Sequence, residues 1–98
     1  MNEKIDFVIE QYIESSSSLV KDLEDSLKTE DNEKLFISSH SLKSASLQVG
    51  AETLSDLARQ IEAIAREDDT SEVKQLCKEL STEHKSVIHS LQNIKSAN

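Results

Sequence analysis

A single glycine, Gly50, and no proline occur in the 98 residues of this chain. Glycine supplies left-handed turns and proline stops helices, so a chain nearly devoid of both has few turns, and short ones. Apolar residues recur throughout at three- and four-residue spacing, the period of a helix that buries one face. Together these features predict an all-α chain. Aromatic residues are limited to Phe7, Tyr12 and Phe36. The core must therefore be Leu, Ile, Val and Ala contributed by several helices. A chain of this length makes one domain, spanning 1–98.

Ile5, Val8, Ile9, Tyr12 and Ile13 predict a short helix near residues 3–14. The serine run Ser15 to Ser18 follows. Serine hydroxyls compete for nearby backbone groups and favour helix ends, which predicts a break there and a second helix to about Thr29. Ile9, Tyr12, Ser16, Leu19 and Leu23 still keep a heptad rhythm, so one continuous helix is the alternative. Asp31 or Asn32 caps the next helix, and Gly50 ends it. Another begins near Ala51 with the inward stripe Leu54, Leu57, Ala58, Ile61, Ile64 and Ala65. So short a link forces these two helices to lie antiparallel. In the turn that follows, Asp69 and Glu72 have capping-box spacing. A last helix from about Ser71 to Lys95 carries the seam Val73, Cys77, Leu80, His84, Val87, Leu91 and Ile94. The expected architecture is an up-down antiparallel four-helix bundle with a short additional N-terminal helix.

The charge of −8, from 11 basic and 19 acidic residues, argues against nucleic acid and against anionic membrane surfaces, both of which would repel the chain. No apolar run approaches the roughly 20 residues that span a bilayer. No signal-peptide pattern is evident, and Cys77 is the only cysteine, so no internal disulfide can form. A cytoplasmic protein is the expectation.

Leu35, Leu42 and Val49 repeat every seven residues, and Ser38, Ala45 and Ser46 complete their inward stripe. At about 100° per residue, His40 lies roughly 160° around the helix from Leu42. It points away from the seam, with Lys43 one turn on. A helical histidine is ordinarily a solvated surface residue. Here the outward half, which should be charged, also carries Phe36, Ile37 and Leu47. The flanking residues Ser39, Ser41 and Ser44 are small and leave the imidazole open to a protein-sized partner.

His40-Ser41-Leu42-Lys43-Ser44-Ala45-Ser46, then Gly50-Ala51 and Leu54, resembles the histidine-containing phosphotransfer (HPt) domain, whose pattern is His-x-Leu-Lys-Gly, small residues, Gly-Ala and a leucine. The resemblance continues through Leu57, Ala58 and Ile61-Glu62, and its strong part covers about a third of the chain. Ser44 departs from the family, which commonly has glycine there to give a phosphoryl group and a partner close approach to the backbone. The resemblance implies that His40 is a phosphoacceptor exchanging phosphate with response-regulator receiver domains, with a hybrid sensor kinase upstream. It implies that Lys43 meets the charge of the phosphoryl oxygens and that Glu62 orients the imidazole. Phe36, Ile37, Ser44, Leu47 and Arg66 would then touch the partner, with Arg66 a weaker candidate for phosphoryl stabilisation. The chain itself binds no cofactor in this reading; Mg²⁺ is expected on the receiver. A monomeric phosphotransfer intermediate without kinase activity of its own is the expectation. The alternative is a non-catalytic helical module that binds a receiver or another regulator without accepting phosphate.

Other chemistries find little support. His84 occupies a seam position and reads as a partly buried histidine satisfied by a neighbouring helix; His89 lies off the seam. No Glu-x-x-His pair and no histidines at i and i+4 are present, so metal ligation fails on spacing. No phosphate-cradling glycine loop or nucleophile elbow occurs. Glu62 and Arg66 could form an ordinary i,i+4 ion pair on the surface.

Two substitutions test the face assignment. Leu47→Glu should weaken receiver binding at least about tenfold, or 1.4 kcal/mol, with the fold intact. Leu42→Glu should collapse the bundle, because an unpaired charge would enter the core. Thermal melts and a binding titration with one receiver read both.

Overall fold

The stripe pattern resolves into four helices: α1 (Glu3–Thr29), α2 (Asn32–Gln48), α3 (Glu52–Ala65) and α4 (Val73–Ser96). A computed structural model describes residues 3–67 and 71–96. Each helix packs on two neighbours, α1 on α2, α2 on α3, α3 on α4 and α4 on α1. The result is a ring of four rods, 48 × 19 × 18 Å overall, the up-down bundle that short links between successive helices dictate.

The inward stripes meet in one core. Leu23, Leu35, Leu42, Leu54, Ile61 and Leu80 are its largest fully buried apolar side chains. Val20, Ala58, Val73 and Cys77 join them, and Leu57, Ile64, Val87 and Leu91 pack around the margin. Burying a leucine or isoleucine contributes about 1.5–3 kcal/mol each, so these positions carry the fold. Val49 lies past the end of α2, only partly buried, and Ile94 is half exposed where the last seam frays.

The break expected at Ser15 to Ser18 does not occur. α1 runs through the serines, and no separate short helix precedes it within the described residues. The hydroxyls of Ser15 and Ser16 donate to the carbonyls of Tyr12 and Ile13, one turn back, at 3.5 and 3.4 Å. That local bond is compatible with helical backbone, so the competition that favours a cap is not lost but redirected. Ser16 is also fully buried on the heptad seam, with its Oγ 2.8 Å from His84 Nε2 of α4. Tertiary anchoring outweighs a weak local preference.

The ends of α2 follow the sequence signals. Asp31 caps it, its Oδ1 accepting the Lys34 N–H at 3.0 Å. At the other end the Ala51 N–H donates to the Ser46 carbonyl at 2.9 Å and the Gly50 N–H to the Leu47 carbonyl at 3.1 Å. Gly50 sits at φ +78°. This is a Schellman turn, which needs a left-handed residue after the cap. α3 starts at the next residue but one, so Gly50 reverses the chain in the shortest space. α4 starts at Val73, slightly later than expected; Asp69 and its capping role lie outside the described residues.

His84 is a buried core histidine held by Ser16, as expected, while His89 is exposed. Cys77 is a core residue whose thiol burial pushes up to about 11, aided by the charge of Glu24. Burial lowers the His84 pKa below its ordinary 6.5, because charging the ring would cost its hydration. The unfolded chain therefore takes up a proton near pH 6.5 that the folded chain refuses. His84 contributes stability that is complete above pH 6.5 and is lost as pH falls through that value toward the folded pKa. Denaturant melts of wild type should lose stability over this window, and His84→Gln should flatten that part of the profile.

Candidate functional site

Between Leu35 and Ala51 the only charged residue is Lys43, in a chain with 31% charged residues. α2 thus lacks the charged outer face of an ordinary bundle helix. Its inner side is lined by Leu35, Ser38, Ser39, Leu42 and Ser46, all buried. Ser39, which the sequence pattern places beside the imidazole, points inward instead: its hydroxyl donates to the Leu35 carbonyl at 2.8 Å. On the outer side Ile37 and Leu47 are 54% and 60% exposed, Ser41 and Ser44 are exposed, and His40 stands among them. Phe36, expected on the outward half with them, lies at its edge. It is half-buried and packs on the core margin.

α3 supplies the other half of the site. Ser55, buried in the α2/α3 seam, donates its hydroxyl to the Lys43 carbonyl at 2.8 Å and fixes the register of the two helices. In that register Glu62 meets α2. Its Oε1 lies 3.3 Å from His40 Nδ1 and its Oε2 lies 2.9 Å from Lys43 Nζ. The three side chains grade from exposed to buried: His40 is 56% accessible, Lys43 30% and Glu62 11%. The Glu62 carboxyl is held below its ordinary pKa. The hydrogen bond from Lys43 is the main cause, opposed by desolvation and assisted by the contact with His40. Glu62 is therefore ionised at neutral pH, and an ionised carboxylate only accepts hydrogen bonds. A neutral imidazole that bonds this carboxylate does so with its proton on Nδ1, the lone pair then lying on Nε2. The 3.3 Å separation lies just beyond the usual range for such a bond, so the contact is a weak one.

A second contact lies along the ring face. Phe36, one turn before His40, stacks on it with centroids 6.0 Å apart and 14° between planes. The Arg66 guanidinium lies over the Phe36 ring, 4.6 Å from its centroid, within cation–π range. Arg66 therefore packs on Phe36 rather than pairing with Glu62 as i,i+4 spacing suggested. Arg59 is occupied elsewhere, bonded to Asp56 at 2.7 Å. Sequence reasoning gathered His40, Lys43, Glu62, Phe36 and Arg66 but missed the stacking and the role of Ser55. The i−4 spacing of Phe36 from His40 was the available signal for the first; a serine within an apolar stripe offers none for the second.

Known proteins share this arrangement of helices. The Hpt domain family matches residues 8–94. The chain belongs to that family. Hpt domains serve histidine phosphotransfer in phosphorelays and interact with receiver domains of response regulators. The crystal structure of histidine-containing phosphotransfer protein B from Pseudomonas aeruginosa PAO1 superposes with a TM-score of 0.91, covering 94% of this chain and 80% of that one. The sequence identity is 20%, so the likeness is one of fold. No curated protein matches the chain. No helix among the described residues is long and apolar enough to cross a membrane.

For this Hpt chain the tautomer is testable. Long-range ¹H–¹⁵N spectra of wild type should show the His40 proton on Nδ1 at neutral pH. Glu62→Ala removes the acceptor and should redistribute that proton between the two nitrogens, with His84 unaffected. An unchanged His40 pattern would show that Glu62 does not set the tautomer.

Proposed function

We propose that His40 is the phosphoacceptor, taking a phosphoryl group from an aspartyl phosphate on a receiver domain and passing it to another receiver. The observation that carries this reading is the pairing of His40 Nδ1 with the buried Glu62 carboxylate in a side chain that is 56% accessible, which makes Nε2 the nitrogen available to a partner. In the forward step the Nε2 lone pair attacks phosphorus and an N–P bond forms. The P–O bond to the aspartate breaks, and the aspartate leaves as a carboxylate on the receiver. Because Nδ1 keeps its proton, the ring becomes cationic as Nε2 commits its pair. Glu62, ionised and 3.3 Å away, faces that developing charge, the kind of fixed electrostatic complement that lowers a barrier.

Lys43 stands on the same helix three residues on, its ammonium held by Glu62. It is the cation closest to where the phosphoryl oxygens would arrive. Ile37 and Leu47, with the exposed part of Phe36, offer the apolar contact that excludes water around an acyl phosphate. Small Ser41 and Ser44 keep the approach open. Ser44 replaces the glycine commonly found there with the smallest polar side chain, so access narrows only slightly. Arg66, stacked on Phe36, would hold the rim of this face and meet a partner's acidic groups. The receiver supplies the aspartate and its Mg²⁺, while this chain supplies a positioned nucleophile. A hybrid sensor kinase is the upstream source, a monomer suffices for each exchange, and the cytoplasm, where receivers act, is the place.

His40→Gln should abolish labelling by a phosphorylated receiver, with stability changed by less than about 0.5 kcal/mol because the side chain is exposed. The label on wild type should be acid-labile, as a phosphoramidate is and a serine ester is not. Lys43→Ala should slow transfer more than it weakens receiver binding, since its charge matters most as the phosphoryl group moves. Receiver binding without any acid-labile label would establish the non-catalytic module instead.

A further inference from the structure

The edge of the bundle diagonally across from His40 is the seam between α1 and α4. A groove of about 430 Å³ opens there, lined by Glu24, Leu27 and Lys28 of α1 and by Lys74, Cys77 and Lys78 of α4. The volume lies within the range of small-ligand sites. Its surface is mostly apolar, with Leu27 and Cys77 as its hydrophobic members and lysine side chains, whose methylene stems are apolar, around them. Three lysines and one glutamate line it in a chain whose net charge is −8, although Lys74 and Lys78 also line neighbouring grooves with Glu30 and with Glu79 and Glu83. Among the described residues none of the three lysines is held by a carboxylate within 4 Å. Lys74 and Lys78 are one turn apart on α4, a mutually unfavourable spacing for like charges. Lys28 adds a third from the facing helix. An apolar trough with a cationic rim is complementary to an anion that carries an aliphatic tail.

We propose that this groove binds a free anionic amphiphile, a carboxylate on a short aliphatic chain. The tail would lie over Leu27 and Cys77 and the head among Lys28, Lys74 and Lys78. The Cys77 thiol, pushed up to about 11, stays neutral and adds no repulsion beneath the tail. The site is separate from the His40 face, so it stands or falls independently of phosphotransfer.

The test is a titration of ¹⁵N-labelled full-length protein with decanoate below its micelle concentration. The expected result is saturable shifts confined to residues 24–28 and 74–81. Decanol, which lacks the charge, should bind at least about tenfold more weakly. The exposed double variant Lys74→Gln/Lys78→Gln should lose affinity by a similar factor with its melting temperature unchanged. His40→Gln should bind decanoate as wild type does. Equal binding of decanoate and decanol would overturn the proposal, and so would shifts centred on Phe7, Val8 and Leu47. Shifts of the groove residues on dilution alone would assign the face to a second copy of the chain. Shifts there on adding a receiver domain without decanoate would assign it to that partner. Either result would overturn the amphiphile.

Discussion

The reversal at Gly50 is the constraint on which the rest depends. Only a residue free of a Cβ takes φ +78° without strain. With it in place, two backbone hydrogen bonds close α2 and α3 begins at Glu52. No slack remains for α3 to go anywhere but back along α2. The Ser55 hydroxyl then docks on the Lys43 carbonyl, and the register of the two helices is set. Everything at the site follows from that register: Glu62 arrives beside His40 and Lys43, close enough to touch both.

The site is ordered by depth. A carboxylate near the seam, a half-buried ammonium and an exposed imidazole share one short path from core to solvent. Each member needs the others. Glu62 would be costly to bury without Lys43, and its other oxygen is the one that His40 Nδ1 meets. Phe36 and Arg66 add a wall beside the ring at little cost to the fold, since both extend from helices already packed. α2 distributes its residues to suit. Small serines fill its inner side where helices approach closely, and large apolar groups stand outside. Its polar and apolar residues are consequently spread almost evenly around the helix, unlike those of its three neighbours.

α1 and α4 complete the ring through contacts of another kind. The Tyr12 hydroxyl lies 2.8 Å from Ser46 Oγ of α2, and Ser16 Oγ lies 2.8 Å from His84 Nε2 of α4. These buried polar pairs satisfy one another across helices, so they specify which residues must meet as well as stabilising the contact. They fix the rotation of α1, on which residues from Tyr12 to Ser16 face two different neighbours within one turn.

The all-α class, the order of the helices, the ends of α2 and the core residues Leu35, Leu42, Leu54 and Ile61 were legible in the chain. Each rests on a local rule: helical periodicity, a capping aspartate, a glycine after the last turn. The outward placement of His40 follows from the same periodicity, and the family resemblance pointed to Lys43 and Glu62. The continuity of α1 was not decided locally. Serine's preference for caps and the heptad through Ser16 point in opposite directions, and the contact with His84 resolves them. Ser39, four residues after Leu35 and three before Leu42, faces inward as helical periodicity requires, but periodicity could not foresee that Phe36 is half-buried against the imidazole or that Arg66 leaves Glu62 for Phe36. Those outcomes turn on rotations of a few tens of degrees and on which helix lies alongside. Such quantities depend on residues distant in sequence, so only the packed bundle determines them.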